Sequence, residues 1–515
     1  MSIMMTFTGN IFLDLFGFIT SLLVVIFAYY KWTYQYWERQ NVPYLEPTIP
    51  FGNFSNHLNI NISLSDTVRR MYDKARAKGW KFCGIYEMAR PSIMIVDLDL
   101  AKHVMTKDFG HFVDRKPYVN DKDDPLGSHL FSIGGKKWRN LRVKVTPTFT
   151  SGKLKAMFQT LADCGVILEN YFEEVLNKEE PVDIKDVFAR FTIDIIGSCA
   201  FGLDCNSFKE ENSPFRIYGQ KFFAMTKLRA LRLALAFNFP ALGRFLKVRM
   251  VDKDITEFFT KVVEDTVVYR EKNNVSRNDV LQLLIDIKNN KEGREDGYKG
   301  DGKSLTMDEL AAQCFVFFLA GFETSSTTAT FVLFELATHQ DIQDKVREEI
   351  RTVLAKHDDR ITYDSLNEMA YMTQVIDEAL RKYPPLPLVT RVCVEDYKVP
   401  GENTIIEKGT NIVIPIMGYH YDMEFYDDPT KFNPDRFTDE HKETRHPYAH
   451  IPFGEGPRVC IGERFGVMQT KVGLTSILRN FRVTLNKGTQ LPLKFSVKSN
   501  ITTAEGGIWL DIEKV

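Results

Sequence analysis

The sequence predicts one large globular domain that a single N-terminal helix ties to a membrane. The chain has 515 residues, 44% of them hydrophobic and 12% aromatic, which is enough for an extensive core. This length suggests two or three domains, but neither a low-complexity linker nor an internal repeat divides the chain after residue 50. The seven cysteines are scattered and odd in number, which is typical of reduced intracellular thiols. A net charge of −2 gives no reason to expect a nucleic-acid partner.

Residues 11–30 predict the membrane-spanning helix, so residues 1–30 are assigned to an anchor. The stretch holds thirteen Ile, Leu, Phe or Val residues and one charge, Asp14. Twenty helical residues span about 30 Å, the thickness of the bilayer hydrocarbon. No cleavage site follows, which favours an uncleaved anchor over a signal peptide; a buried core helix is the alternative. Lys31 and Arg39 follow the stretch and no positive charge precedes it, which places the remainder in the cytosol.

Residues 31–52 predict a stiff hinge between the anchor and a globular domain of residues 53–515. Pro43, Pro47 and Pro50, followed by Gly52, cannot continue a helix. Aromatic side chains are dense at the start of the hinge and the end of the anchor, and we expect them to form an interfacial belt. The belt residues are Tyr29, Tyr30, Trp32, Tyr34, Tyr36 and Trp37.

A long apolar helix is predicted to begin with the capping box of Thr306 and Glu309. Glu323 is the only charge between Glu309 and Glu335. Because a helix that is apolar all round is buried, we expect Glu323 to be an isolated interior acid whose pKa burial raises. Thr324 presents a hydroxyl beside the small residues 320–321, so the pair predicts a proton relay. The alternative is a structural glutamate at a tight helix crossing.

Each of two shorter motifs places a pair of polar side chains on one face of its own helix. Trp138 and Arg142 offer an indole N–H and a guanidinium, which can both bind a carboxylate. Glu378 and Arg381 are three residues apart, a spacing that usually gives an exposed ion pair of little energetic value. Neither motif is specific by itself.

Cys460 lies in the run Phe453-Gly-Glu-Gly-Pro-Arg-Val-Cys-Ile-Gly462, which predicts a metal-binding thiolate. Glycines let the backbone approach a bulky planar group where a Cβ would collide. The positive charge of Arg458 is expected to favour the thiolate. A cysteine without a second thiol nearby in sequence argues against zinc, whereas one axial sulfur suits an iron held by a porphyrin. The alternative is a buried structural cysteine between turn glycines.

This run resembles the haem-binding loop of the cytochromes P450, which follows the pattern Phe-x-x-Gly-x-Arg-x-Cys-x-Gly. The resemblance implies a mainly α-helical fold with a small β lobe, haem b as the cofactor and Cys460 as the iron ligand. It also implies that Glu323 and Thr324 are catalytic residues of the oxygen-binding helix, and that Arg436 completes a cluster with Glu378 and Arg381. The cofactor-binding residues that it implies are Trp138, Arg142, Arg391, Phe453, Arg458 and Cys460. Residues 191–207 and 278–284 resemble insect family-6 enzymes and their relatives in the vertebrate family-3 clan.

The resemblance implies a monooxygenase that inserts one oxygen atom of O2 into apolar small molecules. Since the sequence has no Rossmann glycine fingerprint, electrons from NADPH must come through another protein. NADPH-cytochrome P450 reductase is the expected donor, with cytochrome b5 as a second candidate, at the cytosolic face of the endoplasmic reticulum membrane. The family-6 resemblance favours detoxification of xenobiotics such as plant toxins and insecticides. The alternatives are endogenous lipid or hormone metabolism, a non-oxygenase isomerase or dehydratase, and a haem carrier or sensor.

Two basic segments lack acidic residues. Residues 125–162 carry seven Lys or Arg, and we expect some of them to dock the reductase. Residues 213–251 carry eight, interleaved with Phe and Leu, which predicts a second membrane contact beside the substrate entrance. An ordinary solvated helix face is the alternative for both segments.

Overall fold

A computed structural model describes residues 10–54, 62–115, 118–178, 180–210, 212–224, 226–289 and 304–515. The described chain is mainly helical, which confirms the predicted fold class. Its α-helices are Ile11–Thr33, Tyr36–Arg39, Leu64–Ala77, Leu98–Lys102, Gly135–Val145, Ser151–Leu176, Ile184–Ile196, Pro214–Phe223, Lys227–Asn238, Pro240–Phe245, Lys253–Asn273, Val280–Lys288, Met307–Thr338, Gln340–Leu354, Tyr363–Glu368, Ala370–Lys382, Ile416–His420, Asp439–Thr444 and Glu463–Leu478. Shorter 3-10 or π turns are His103–Lys107, Phe109–Phe112, Pro125–Gly127, Thr146–Phe149, Gly197–Phe201, Pro434–Phe437, Pro447–Ala449 and Gly456–Arg458.

The small β lobe is built on a four-stranded mixed sheet. In spatial order its strands are Phe82–Glu87, Arg90–Ile95, Asn411–Ile414 and Val389–Val392, and the middle pair is parallel. A three-stranded antiparallel sheet joins Val182–Asp183, Trp509–Lys514 and Phe481–Leu485, and a two-stranded one joins Tyr397–Lys398 and Ile405–Ile406. The four-stranded and two-stranded sheets share an apolar core that is separate from the larger helical core, whereas the three-stranded sheet packs into the helical core.

The long helix Met307–Thr338, called the central helix below, runs through the helical core. Its capping box forms as predicted: Glu309 N donates to Thr306 Oγ1 and Thr306 N donates to Glu309 Oε2, both at 3.1 Å. It packs along Ile184–Ile196 and Glu463–Leu478. A Cβ on Gly321 would lie 2.4 Å from Ile196 Cδ1, so glycine permits the close crossing with the first of these helices.

The N-terminal helix is exposed along its length, in contrast to the core. Ile11–Thr33 contains a window of mean hydropathy 2.5, none of it buried. Among the described helices, only the central helix is also long and apolar enough to span a membrane, and 83% of its apolar window is buried inside the protein. The first helix therefore has the properties of a membrane anchor, and the second is a core helix.

The first residues of the predicted hinge pack against the β lobe. Trp37 is 2% exposed, and its Nε1 donates to Ile85 O in the β lobe at 3.2 Å. A Cβ on Gly84 would lie 2.3 Å from Trp37 Cγ, so the ring occupies a notch that only glycine leaves open. Tyr86 Oη also donates to Tyr34 O at 2.9 Å. The expectation that Tyr34 and Trp37 belong to an interfacial belt was wrong, because the β lobe buries both side chains.

Candidate active site

The cysteine loop is closed at its base by a backbone hydrogen bond. Cys460 N donates to Phe453 O at 3.0 Å. Gly456 has φ of +72°, and a Cβ there would lie 2.0 Å from Met105 O, so both conformation and packing require glycine. The helix Glu463–Leu478 begins just after the loop, which brings a helix N-terminus close to the Cys460 sulfur.

Cys460 faces a largely apolar cavity of about 230 Å³ that is partly open to solvent. Protein atoms surround the thiol, but its cavity side is accessible. The central helix contributes to the same lining Val316, Phe317, Ala320, Gly321, Thr324, Ser325 and Thr328. The cavity brings together most of the predicted site residues, namely Trp138, Arg142, Thr324, Phe453, Arg458 and Cys460. Arg391 and Glu323 are not among the residues that line it.

The electrostatics of Cys460 differ from the expectation. Burial raises the pKa of its thiol, while the Gly462 amide and the charges of Arg115 and Arg142 oppose this effect. Arg458 is not among the groups that lower the pKa of this thiol most. Its guanidinium lies 4.1 Å from the centre of the Trp138 ring.

Arg458 instead ties the cysteine loop to neighbouring segments. It is 2% exposed, and its three nitrogens donate to the carbonyls of Val113 at 2.9 Å, Leu130 at 3.3 Å and Ile133 at 2.7 Å. Burial lowers its pKa to about 9, with a further contribution from Arg115. The arginine of the motif therefore holds the wall of the cavity.

Several guanidinium groups converge beside the cavity. Arg142 Nη2 donates to Val459 O at 2.9 Å, and Arg391 is completely buried. The Nε atoms of Arg115 and Arg391 have no hydrogen-bond partner among the described residues. Burial, together with the charges of Arg115 and Arg458, holds the pKa of Arg391 well below its usual value.

Such a buried positive cluster is costly unless an anion compensates it. The two carboxylates of haem fit this need, and the accessible thiol fits its iron. The sequence patterns missed Arg115, because no motif spacing marks it and its proximity to Cys460 arises only in the folded chain.

Thr324 and Glu323 point in different directions. Thr324 lines the cavity, and its Oγ1 donates to Ala320 O at 2.6 Å. Glu323 Oε1 lies 3.0 Å from Lys185 Nζ, which also donates to Ser326 Oγ at 2.7 Å. The prediction that Glu323 is isolated was wrong. Its partner comes from the helix Ile184–Ile196, which no local pattern around residue 323 reveals.

The cluster around Glu378 is buried. Arg381 forms two hydrogen bonds to its carboxylate at 2.7 and 2.8 Å, and both side chains are 0% exposed. Arg436 Nε lies 3.5 Å from Glu378 Oε1, and Asn433 N donates to the same oxygen at 2.9 Å. The carboxylate thus holds the segment around residues 433–436, which leads to the cysteine loop. It is not the exposed pair that its spacing usually gives.

Comparison with known proteins agrees with this fold. The sequence model of the family described as Cytochrome P450 matches residues 45–510. The chain is 42% identical over 506 residues to Cytochrome P450 6a2 of Drosophila melanogaster, covering 96% of this chain and 98% of the relative. It is 39% identical to Cytochrome P450 6A1 of Musca domestica, with 98% of both chains covered, and 39% identical to Cytochrome P450 6k1 of Blattella germanica, with 99% of both covered.

The chain therefore belongs to the cytochrome P450 family and is a haem-containing monooxygenase of that family. Within the family it is an insect family-6 enzyme, as the extent and the identity of the three matches show.

Proposed function

We propose that Cys460 would ligate the haem iron and that the buried arginines would bind the haem carboxylates. The observation that carries this assignment is an accessible thiol in an apolar cavity beside a cluster of guanidinium groups, two of which have an Nε atom without a hydrogen-bond partner among the described residues. Bound haem supplies the oxygen-activating iron. Arg115, Arg142 and Arg391 orient it through charge-assisted hydrogen bonds, and Trp138, Phe453 and Arg458 complete its surroundings.

We propose that the substrates are apolar small molecules, chiefly xenobiotics. The cavity wall is rich in aliphatic and aromatic side chains, among them Phe131, Phe149, Val316, Phe317, Leu386 and Val389. Such a lining binds by shape and apolar contact and selects weakly among similar molecules. Similarity to other family-6 enzymes favours detoxification, and endogenous lipids or hormones are the second candidate.

Reconstitution with NADPH-cytochrome P450 reductase tests the reaction class. NADPH, O2, peroxide and product are measured together for a panel of apolar compounds chosen from a substrate-binding difference-spectrum screen. We expect consumption of NADPH and O2 to depend on substrate. Product formation without O2 consumption would indicate an isomerase or dehydratase instead.

In the same assay, Thr324→Ala should divert NADPH from product to peroxide, because Thr324 is the relay residue that reaches the cavity. Product per NADPH should fall by at least about tenfold, since positioned proton transfer contributes about 10²–10⁴-fold to rate. Glu323 is the proposed second member of the relay. Thr324→Ser, which keeps the hydroxyl, is the matched control, and haem content should be unchanged in both variants. Unaltered coupling in the alanine variant would make Thr324 structural.

We propose that the reductase docks on part of the basic segment 125–162, and that cytochrome b5 uses the same face. Two lysines of this segment already form ion pairs within the protein. Lys155 Nζ lies 3.0 Å from Asp364, and Lys137 Nζ lies 2.5 Å from Asp121. Exposed basic side chains remain on this face, at Lys136, Arg139 and Lys153. An acidic partner would be attracted to these three.

We propose that the first helix anchors the enzyme in the endoplasmic reticulum membrane with the catalytic domain in the cytosol. The domain makes a second contact through residues 213–251, but its chemistry differs from the sequence expectation. Several basic residues of the segment pair with acids from outside it: Arg216 with Asp186, Lys221 with Asp254 and Arg232 with Asp252. The exposed surface is instead mainly apolar, with Leu228 75%, Leu231 68%, Phe245 81% and Leu246 52% exposed.

Deleting residues 2–30 should leave a protein that still sediments with vesicles. Because the exposed groups are mainly apolar, detergent should release it fully and high salt only in part. Replacing Leu231 and Phe245 with serine in the truncated protein should abolish sedimentation, while a matched pair of serines at Val268 and Tyr269, which are exposed on the helix Lys253–Asn273, should not. A truncated protein that stays in the supernatant at low salt would leave the anchor as the sole contact.

A further inference from the structure

The central helix is held by side chains at the turn that leads to Thr324. Four successive backbone carbonyls, those of residues 320–323, each lie within hydrogen-bond distance of a side-chain donor. The first donor belongs to the helix itself, since Thr324 Oγ1 donates to Ala320 O at 2.6 Å. The other three donors come from two neighbouring helices, so the position of this turn depends on both of them.

The helix Ile184–Ile196 supplies two of these donors. Lys185 Nζ lies 3.3 Å from Glu323 O, beside its ion pair with the carboxylate of the same residue. Thr192 Oγ1 lies 3.1 Å from Phe322 O, and it shares its one proton with a carbonyl of its own helix at 2.8 Å. Neither Lys185 nor Thr192 is among the described residues that line the cavity.

Gln469 supplies the third external donor, from the helix Glu463–Leu478. Its Nε2 donates to Gly321 O at 2.8 Å, and the residue is 0% exposed. A Cβ on Gly466 would lie 3.4 Å from Ser325 Oγ, so the two helices cross closely at this point. Of the three donors from outside the central helix, Gln469 is the one that lines the cavity.

The Gln469 side chain uses only its donor end. Oε1 has no hydrogen-bond partner among the described residues. Gln343 is also 0% exposed but pairs at both ends, since Nε2 donates to Leu336 O and Oε1 accepts from Val483 N, both at 2.9 Å. A buried amide with an unpaired oxygen contributes little to overall stability. The one bond that Gln469 makes therefore points to a local use beside the cavity.

We propose that Gln469 is a positioning residue for Thr324. The helix that carries Gln469 begins just after the cysteine loop. By holding the Gly321 carbonyl, Gln469 links that helix to the turn 320–324, and the link fixes the Thr324 hydroxyl relative to the Cys460 sulfur. This positioning role rests on the proposed function of Thr324 and Cys460, whereas the hold on Gly321 does not.

Hydrogen exchange of the full-length holoenzyme tests the hold. Gln469→Met keeps the length of the side chain and removes its donor, so peptides covering residues 318–326 should exchange at least about threefold faster. Gln343→Met is the matched control, because it removes the same kind of bond from the C-terminal end of the central helix. It should accelerate exchange at residues 333–338 and not at 318–326. Unchanged exchange of residues 318–326 in Gln469→Met would overturn the proposal.

Reconstituted turnover tests the positioning role. Product per NADPH should fall by at least about threefold in Gln469→Met, because a small displacement of a reacting group lowers rates steeply. Haem content, the carbon monoxide band and the Kd of an apolar ligand from the spectral screen should stay unchanged. Gln343→Met should keep the coupling of the unaltered enzyme, although it loses more hydrogen bonds. Equal uncoupling in the two variants would show a general loss of stability and would contradict the proposal.

A double variant shows whether Gln469 acts through Thr324. Adding Gln469→Met to Thr324→Ala should change product per NADPH by less than about twofold, because the group that Gln469 positions has already been removed. A further fall by the full factor of the Gln469→Met single variant would refute the positioning role. If Thr324→Ala alone leaves coupling unaltered, the proposed function of Thr324 fails, while the exchange result still decides the hold.

Discussion

Replacing Cys460 with serine is expected to abolish both turnover and the red-shifted Soret band of the reduced carbon monoxide complex. An alcohol is a poor anionic donor, and no other described cysteine side chain is exposed. The apoprotein should remain folded, since the Cys460 side chain faces the cavity and its structural hydrogen bond to Phe453 uses the backbone. Absorption spectra, haem content and circular dichroism measure these three effects.

Cys199→Ser is the matched control. Cys199 also lines the cavity, but burial raises the pKa of its thiol to about 12, so it stays neutral. This variant should keep the band and most of the activity. A Cys460→Ser enzyme that kept the band and its turnover would overturn the assignment of the iron ligand.

Removing the Glu378 carboxylate is expected to have the largest effect on folding. Glu378→Ala leaves the fully buried Arg381 without its partner, and losing one member of such a pair costs about 3–5 kcal/mol. It also frees the segment around Asn433 and Arg436, so haem content should fall as well. Urea unfolding gives the change in free energy, and the absorption spectrum gives the haem content.

A second Glu–Arg pair in the chain provides the matched control for this experiment. Glu348 and Arg351 have the same spacing and a contact of 2.6 Å, but their side chains are 59% and 77% exposed. Glu348→Ala should leave the unfolding midpoint unchanged, because solvent screens exposed pairs. Equal stability of the two alanine variants would contradict a structural role for the buried cluster.

These examples separate what the sequence could predict from what it could not. The cysteine loop was predictable because its glycines, arginine and cysteine act within ten consecutive residues. The anchor and the central helix were predictable as helices because each is a long apolar run, whereas the fold decides that one is exposed and the other buried. Both the exposed pair at Glu348 and the buried pair at Glu378 have the same spacing, so burial, which distinguishes them, comes only from the fold.

The errors about charge share one physical cause, which is that the fold supplies partner charges from outside the local motif or segment. Lys185 pairs with Glu323, and Asp252 and Asp254 neutralise basic residues of an acid-free segment. Arg115 likewise acts on Cys460 without any motif to mark it. The local sequence shows which charged residues a segment contains, but it does not show which of them are paired in the folded protein.

Because Trp37 packs in the β lobe, we expect the orientation of the anchor helix to affect the orientation of the catalytic domain. A helix of 23 residues is about 35 Å long, so a small change in its tilt moves the attached end by several ångströms. A thinner hydrocarbon layer increases that tilt. Because Trp37 is held in the β lobe beside Gly84, we expect the catalytic domain to turn with the helix, so that bilayer thickness alters how residues 227–251 face the lipid.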